Sequence, residues 1–144
     1  MGYRYVEREE VMRVLIADDH PTLRETVVRA LRGEPDIEVV GVAGDGKEAV
    51  EMARELRPDV VLMDVMMPAL NGVEATRQIL TCCPTVHVLG FSVHDSSVLA
   101  ARMLKAGALG YLLKDGDIAE LRHAVEAVAR GETYISPEID KYDA

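Results

Sequence analysis

Five polar side chains in this chain could act together: Asp18, Asp19, Asp64, Ser92 and Lys114. Each follows a short apolar run rich in Val, Ile and Leu, at residues 12–17, 59–63, 86–91 and 109–113. If those runs are parallel strands, all five residues leave the sheet at its carboxyl edge, where open α/β folds bind ligands. Three carboxylates gathered there repel, and one of them takes up a proton unless a cation balances them. Lys114 offers a single positive charge. A hard divalent cation with oxygen ligands resolves the excess. Mg2+ (or Mn2+) suits a site with few protein carboxylates, because it keeps several waters of its own. A carboxylate beside such a cation can attack phosphorus and form an aspartyl-phosphate. The cation and Lys114 would then stabilise the equatorial oxygens. Asp64 stands alone at the end of a central run and is the expected acceptor, while Asp18 and Asp19 are paired for the metal.

The elements that position these residues follow from the hydrophobic period. A further apolar run, Ile37–Ala43, brings the expected strands to five. Nearly continuous Val/Ile/Leu runs suit strands buried on both faces. Between them, helical spacing marks residues 22–32, 47–56, 73–80, 97–104 and 118–129. Ala49, Val50, Ala53 and Leu56 form one stripe. Ala75, Ile79 and Leu80 form a second, and Ile118, Leu121, Val125 and Val128 a third. Asp45–Gly46, Asn71–Gly72, Ala106–Gly107 and Asp115–Gly116 fall between elements, and Asp95, Ser96, Asp115 and Asp117 are capping candidates. Strict β–α alternation implies a mostly parallel, doubly wound α/β sheet with helices on both faces. One domain is expected over 12–131. A polar leader occupies 1–11, and the short tail 132–144 reads as the start of a linker.

Composition removes other classes. With 144 residues, of which 49% are hydrophobic, the chain can bury a core without metal or disulfide. Its 25 acids against 16 Lys and Arg give a net charge of −9, so direct nucleic-acid binding is not expected. The longest aliphatic run is too short for a bilayer, and the charged N-terminus has no apolar stretch of the signal-peptide kind. Cys82 and Cys83 are adjacent; a bridge between them would be strained, so reduced thiols and a cytoplasmic setting are expected. His20, His87, His94 and His123 show no ligand spacing for a transition metal.

The segments IADDHP, MDVMMPALNGVE, FSVHD and GYLLKD together resemble the receiver domain of two-component response regulators. ELRHAVEAVARGETYISPEI is similar to the branch that joins a receiver to a C-terminal LuxR-type (NarL/FixJ-like) helix-turn-helix. The resemblance covers residues 12–137. It implies a flavodoxin-like five-stranded parallel sheet, (βα)5, in the order 2-1-3-4-5. It implies Asp64 as phosphoacceptor, fed by a sensor histidine kinase, with the metal held by Asp18, Asp19, Asp64 and the Met66 carbonyl. Asp19 would be a direct ligand and Asp18 would act more often through water. Ser92 matches the switch hydroxyl, Tyr111 the switch aromatic and Lys114 the phosphate-pairing lysine. The implied activity is that of a signalling switch controlling transcription, with no separate substrate turnover. Possible partners are a second copy of the chain, through helices 1 and 5 or the helix 4–strand 5–helix 5 face, and DNA through a helix-turn-helix that lies outside this chain. The chain is read as either an excised receiver, the favoured expectation, or a stand-alone one, and no membrane partner is expected.

Asp115 follows the lysine where many relatives have proline, and Ser92 stands where many have threonine. His94 and the Met66 side chain are expected to set how easily water attacks the acyl phosphate. An aspartyl phosphohydrolase would need an acid two residues beyond Asp64, where Met66 stands. A flavin binder would need a hydroxyl-rich loop after the first strand, where Asp18 and Asp19 stand, and aromatics for the ring, in a chain without Trp. A degenerate receiver used only for protein contacts would not keep all three carboxylates.

Overall fold

The computed structural model describes residues 11–93, 96–114 and 118–140. The strands are β1 (Met12–Ala17), β2 (Ile37–Ala43), β3 (Val60–Asp64), β4 (His87–Ser92), β5 (Gly110–Leu113) and β6 (Tyr134–Ile135). The helices are α1 (Pro21–Arg32), α2 (Gly46–Leu56), α3 (Gly72–Cys82), α4 (Ser97–Lys105), α5 (Ile118–Ala129) and α6 (Pro137–Asp140). The sheet is parallel at every pairing and runs β2-β1-β3-β4-β5-β6. The chain order reverses beside β1, which opens a cleft at the carboxyl ends of β1 and β3.

The continuous apolar strands are explained by two cores. Successive residues of a strand point to opposite faces. Leu15, Val61, Met63 and Val88 meet Ala49, Val50, Ala53, Ala75, Ile79 and Met103 of α2, α3 and α4 on one side. Val14, Ile16, Leu62 and Leu89 meet Val27, Leu31, Leu121, Val125 and Val128 of α1 and α5 on the other. Neither face can be polar, so no alternation appears in the sequence.

Local signals set the helix starts. Asp45 accepts from the Glu48 N–H at 2.7 Å while the Glu48 carboxylate accepts from the Gly44 N–H at 2.7 Å, a reciprocal cap. Asn71 caps α3 through the Glu74 N–H at 2.9 Å, and Ser96 caps α4 through the Leu99 N–H at 3.2 Å. His94, Asp95 and residues 115–117 lie outside the described residues.

The sheet keeps the expected order 2-1-3-4-5 and adds a sixth strand at its edge, formed by part of the tail. Tyr134–Ile135 pairs in parallel with Gly110 and Tyr111 of β5, and Ile139 is 1% exposed in the core. A two-residue strand carries no readable period, so only the free edge of β5 selects it. Ile118 was expected on the core stripe of α5 but is 50% exposed. As the first residue of its helix it overhangs the packed stretch and lines the mouth of a cleft between α1 and α5, with Leu23, Val27 and Phe91. Among the described residues no helix is long and apolar enough to cross a membrane.

Candidate functional site

The site is built from the carboxyl ends of β1, β3, β4 and β5. Asp18 is the first residue after β1; its N–H donates to the Ala43 carbonyl at 3.0 Å, and its own carbonyl accepts from Arg24 at 3.1 Å. Asp64 closes β3 in register with Phe91, so Ser92 lies one residue further along the neighbouring strand. The Lys114 N–H donates to the Ser92 carbonyl at 2.8 Å, which carries the β4–β5 pairing one residue beyond Leu113.

The β3–α3 loop holds Asp64 by its backbone. The Met66 N–H donates to Asp64 Oδ1 at 3.2 Å, and the Gly72 N–H donates to the Val65 carbonyl at 2.8 Å. A Cβ on Gly72 would lie 2.1 Å from the Asp64 carbonyl oxygen, so only glycine lets α3 start this close. The turn in between places Ala69 at φ 67, with the Leu70 N–H donating to the Pro68 carbonyl at 2.7 Å.

Side chains converge above this frame. Lys114 Nζ lies 2.9 Å from Asp18 Oδ2 and 3.1 Å from Asp64 Oδ2, with all three side chains almost wholly buried. The Phe91 ring sits beneath the ammonium, 5.0 Å from centroid to Nζ, and excludes water from that side. Asp19 stands at the rim, partly exposed. One ligand atom from each of Asp18, Asp19, His20 and Asp64 falls within a 4.8 Å span. Asp19 Oδ1 and Asp64 Oδ2 are buried oxygens that complete no hydrogen bond, although Asp64 Oδ2 faces Lys114 as an ion pair. Unsatisfied buried oxygens on neighbouring carboxylates are what a hard cation would bind, so the donor set fits one.

Electrostatics split the two buried acids. Burial pushes Asp18 up, but the Lys114 ammonium and the His20 N–H outweigh it and hold its carboxyl below the usual value. Asp64 goes the other way. Burial pushes it up, Lys114 and the Met66 N–H pull it down, and the charge on Asp18 adds to the rise. Of the two buried acids, Asp64 is therefore the one whose charge is less well compensated.

The structure brings together Asp18, Asp19, Asp64 and Lys114, with Ser92 buried on the next strand end. Met66 joins through its backbone, and its side chain points out, 53% exposed. Tyr111 is fully buried on β5, and a Cβ on Gly90 would come within 3.1 Å of its ring. Sequence reasoning passed over His20. Its Nδ1 lies 3.1 Å from Asp18, 3.2 Å from Asp19 and 3.4 Å from Asp64. Adjacency to the acid pair was the available signal; a search for helical ligand spacing could not register it. The sequence marks Phe91 only as a strand residue; its place under Lys114 follows from the fold.

A family model described as the response regulator receiver domain matches residues 14–126. The chain is 47% identical over 131 residues to the transcriptional regulatory protein DegU of Brevibacillus brevis, covering 91% of this chain and 56% of DegU. It thus spans little more than half of that relative. It is similar to the crystal structure of a LuxR-family two-component response regulator from Aurantimonas sp. SI85-9A1, with TM-score 0.87 and 39% identity over 91% of this chain and 94% of that one. The signal receiver domain of NarL from Mycobacterium tuberculosis gives TM-score 0.82 and 39% identity, over 85% of this chain and 99% of that one.

Proposed function

The chain belongs to the response regulator receiver domain family, and from that premise we propose that it is a phosphorylation-operated switch with Asp64 as its acceptor. The observation that carries this reading is that Asp18 and Asp64 share one buried lysine while Asp19 lies in the same cluster of ligand atoms, Asp64 being the less compensated of the two buried acids. A sensor histidine kinase is the donor. An Asp64 oxygen bonds to phosphorus as the P–N bond of the phosphohistidine breaks and its electron pair returns to the imidazole.

Asp18, Asp19, Asp64 and the Met66 carbonyl would hold Mg2+ or Mn2+. When bound, the cation neutralises the carboxylates and offers coordination to a phosphoryl oxygen. The chain's own residues do the rest. The Met66 N–H fixes the Asp64 carboxylate, and Lys114 follows the new negative charge from Asp64 to the phosphoryl oxygens. Ser92 supplies the hydroxyl drawn toward the phosphoryl group, and Tyr111 answers behind it. Inverting a switch from 1:99 to 99:1 requires about 5.5 kcal/mol of preference for one state. A dianion beside a buried ammonium is of that scale.

The output is control of transcription through a DNA-binding region beyond this chain, as the name of DegU suggests for that relative, with a second copy as a further partner. The setting is the cytoplasm. The chain turns over no separate substrate; it catalyses only its own phosphorylation and dephosphorylation.

The test is intact mass after incubation with acetyl phosphate and Mg2+. Wild type gains one phosphoryl group and Asp64→Ala gains none. Lys114→Ala is labelled but shows no phosphorylation-dependent change in sedimentation. Labelling of Asp64→Ala to the wild-type extent would end this reading.

A further inference from the structure

The adjacent thiols at the end of α3 have no part in the phosphoacceptor site. Neighbouring side chains on an α-helix splay by about 100°, since 3.6 residues make a turn. Here they do not. Cys83 leaves the helix at φ −137 and ψ 71 while its N–H still donates to the Ile79 carbonyl at 2.7 Å. That turn swings its sulfur back, and the two Sγ atoms lie 3.0 Å apart.

The two sulfurs differ in setting. Cys83 is fully buried against the Ala53 carbonyl of α2, with Sγ 3.9 Å from the oxygen. Cys82 is only partly buried. The Cys83 thiol hydrogen bond, followed by Arg54 and Arg57 at the end of α2, holds Cys82 below the usual thiol value against its modest burial. Burial and the neighbouring sulfur push Cys83 above it. An accessible acidic thiol beside a buried, less acidic one is the division of labour of dithiol exchange centres.

We propose that Cys82 and Cys83 form a reactive dithiol for low-molecular-weight disulfides, with Cys82 as the attacking sulfur and Cys83 as the resolving one. The Cys82 thiolate bonds to one sulfur of the small disulfide, whose S–S bond breaks, and the other half leaves as a thiolate. Cys83 then attacks the Cys82 sulfur. The mixed S–S bond breaks, and the second small thiolate leaves and takes up the Cys83 proton. The small disulfide is reduced by two electrons to two thiols, and the pair is oxidised to a vicinal disulfide. Adjacent Cα atoms are about 3.8 Å apart, below the roughly 4.4–6.8 Å that disulfides prefer. The closed bridge is therefore strained and readily reopened by excess thiol, which makes the modification reversible.

The test uses the aromatic disulfide dithiobis-nitrobenzoate, whose leaving thiolate is coloured, with intact mass on the same sample. Wild type should release two coloured thiolates per chain and finish without adduct, two hydrogens lighter. Cys83→Ser should release one and retain one adduct. Cys82→Ser should react slower by about tenfold or more, because the buried sulfur is left to attack alone. A wild-type chain that keeps one or two adducts overturns the proposal, and so does a Cys82→Ser variant that reacts at the wild-type rate. The wild-type mass decides even if a serine variant misfolds. Phosphoryl labelling at Asp64 proceeds in both serine variants, so failure here is separable from failure of the switch reading.

Discussion

At Lys114 one ammonium is shared between Asp18 at 2.9 Å and Asp64 at 3.1 Å. Removing one partner of a buried ion pair typically costs about 3–5 kcal/mol, because the other charge is left uncompensated. Lys114→Met should therefore destabilise the metal-free protein on that scale, and added Mg2+ should recover part of the loss in urea titrations. Asp64 predicts the opposite. Its folded-state pKa is raised, chiefly by burial, so its charged form opposes folding. Asp64→Asn should therefore stabilise the metal-free domain, read as a higher urea midpoint than wild type at neutral pH. The pH sign follows. A group with a raised folded pKa contributes its stability below its unfolded pKa and loses it as pH rises through the folded value. The stability gain of Asp64→Asn over wild type should thus be full at neutral pH and shrink on acidification through the Asp64 pKa. A difference in midpoint that does not vary with pH would contradict this assignment of the strain.

Among the elements, the β3–α3 connection is the most exacting. Gly72 lets the first turn of α3 rest against the Asp64 carbonyl, where a Cβ would approach to 2.1 Å. Gly72→Ala must push helix and strand apart. We expect a loss of about 1–3 kcal/mol, the range for overpacking, together with slower acetyl-phosphate labelling because Asp64 moves with its backbone. Ala69 provides a control in the same loop. It holds φ 67, a region where a Cβ is disfavoured by about 1–2 kcal/mol. Ala69→Gly relieves that cost but adds unfolded-state entropy, so a net gain of no more than about 1 kcal/mol is expected. Labelling should be unchanged if the turn's shape, and not its strain, is what Asp64 needs.

Across the whole molecule, the segment after α5 ties the sheet's last edge to the site. The Ser136 N–H donates to the Tyr111 carbonyl at 3.0 Å, and its hydroxyl oxygen accepts from the Leu113 N–H at 3.0 Å, one residue before Lys114. Glu120 of α5 accepts from Tyr134 at 2.7 Å and from Ser136 at 3.3 Å. Ile139 then inserts into the core that holds Tyr111 and Met103. Ile139→Ala should cost about 2–5 kcal/mol as a core truncation. Hydrogen exchange should quicken in β5 and β6 before β1 and β3, which retain both neighbours. Uniform loss of protection would mean that the segment is not a separable clasp.

Much of this was readable in the bare chain. Val/Ile/Leu runs separated by helical stripes declare a two-sided parallel sheet, because burial on both faces leaves no polar alternation. Polar residues terminating those runs mark the edge at which Asp18, Asp19, Asp64 and Lys114 gather. These are local or periodic signals, and Asp18, Asp19, Asp64, Ser92 and Lys114 stand out through them. Folding in three dimensions settled what has no period. The two-residue β6 exists only because β5 offers unpaired backbone groups, and Ile118 falls outside the core because its helix starts beyond the packed stretch. His20 reaches three carboxylates through the turn into α1, and Phe91 lies under Lys114 through a strand register. The split between Asp18 and Asp64 likewise arises from desolvation and distance between residues far apart in sequence, quantities that spacing along the chain does not encode.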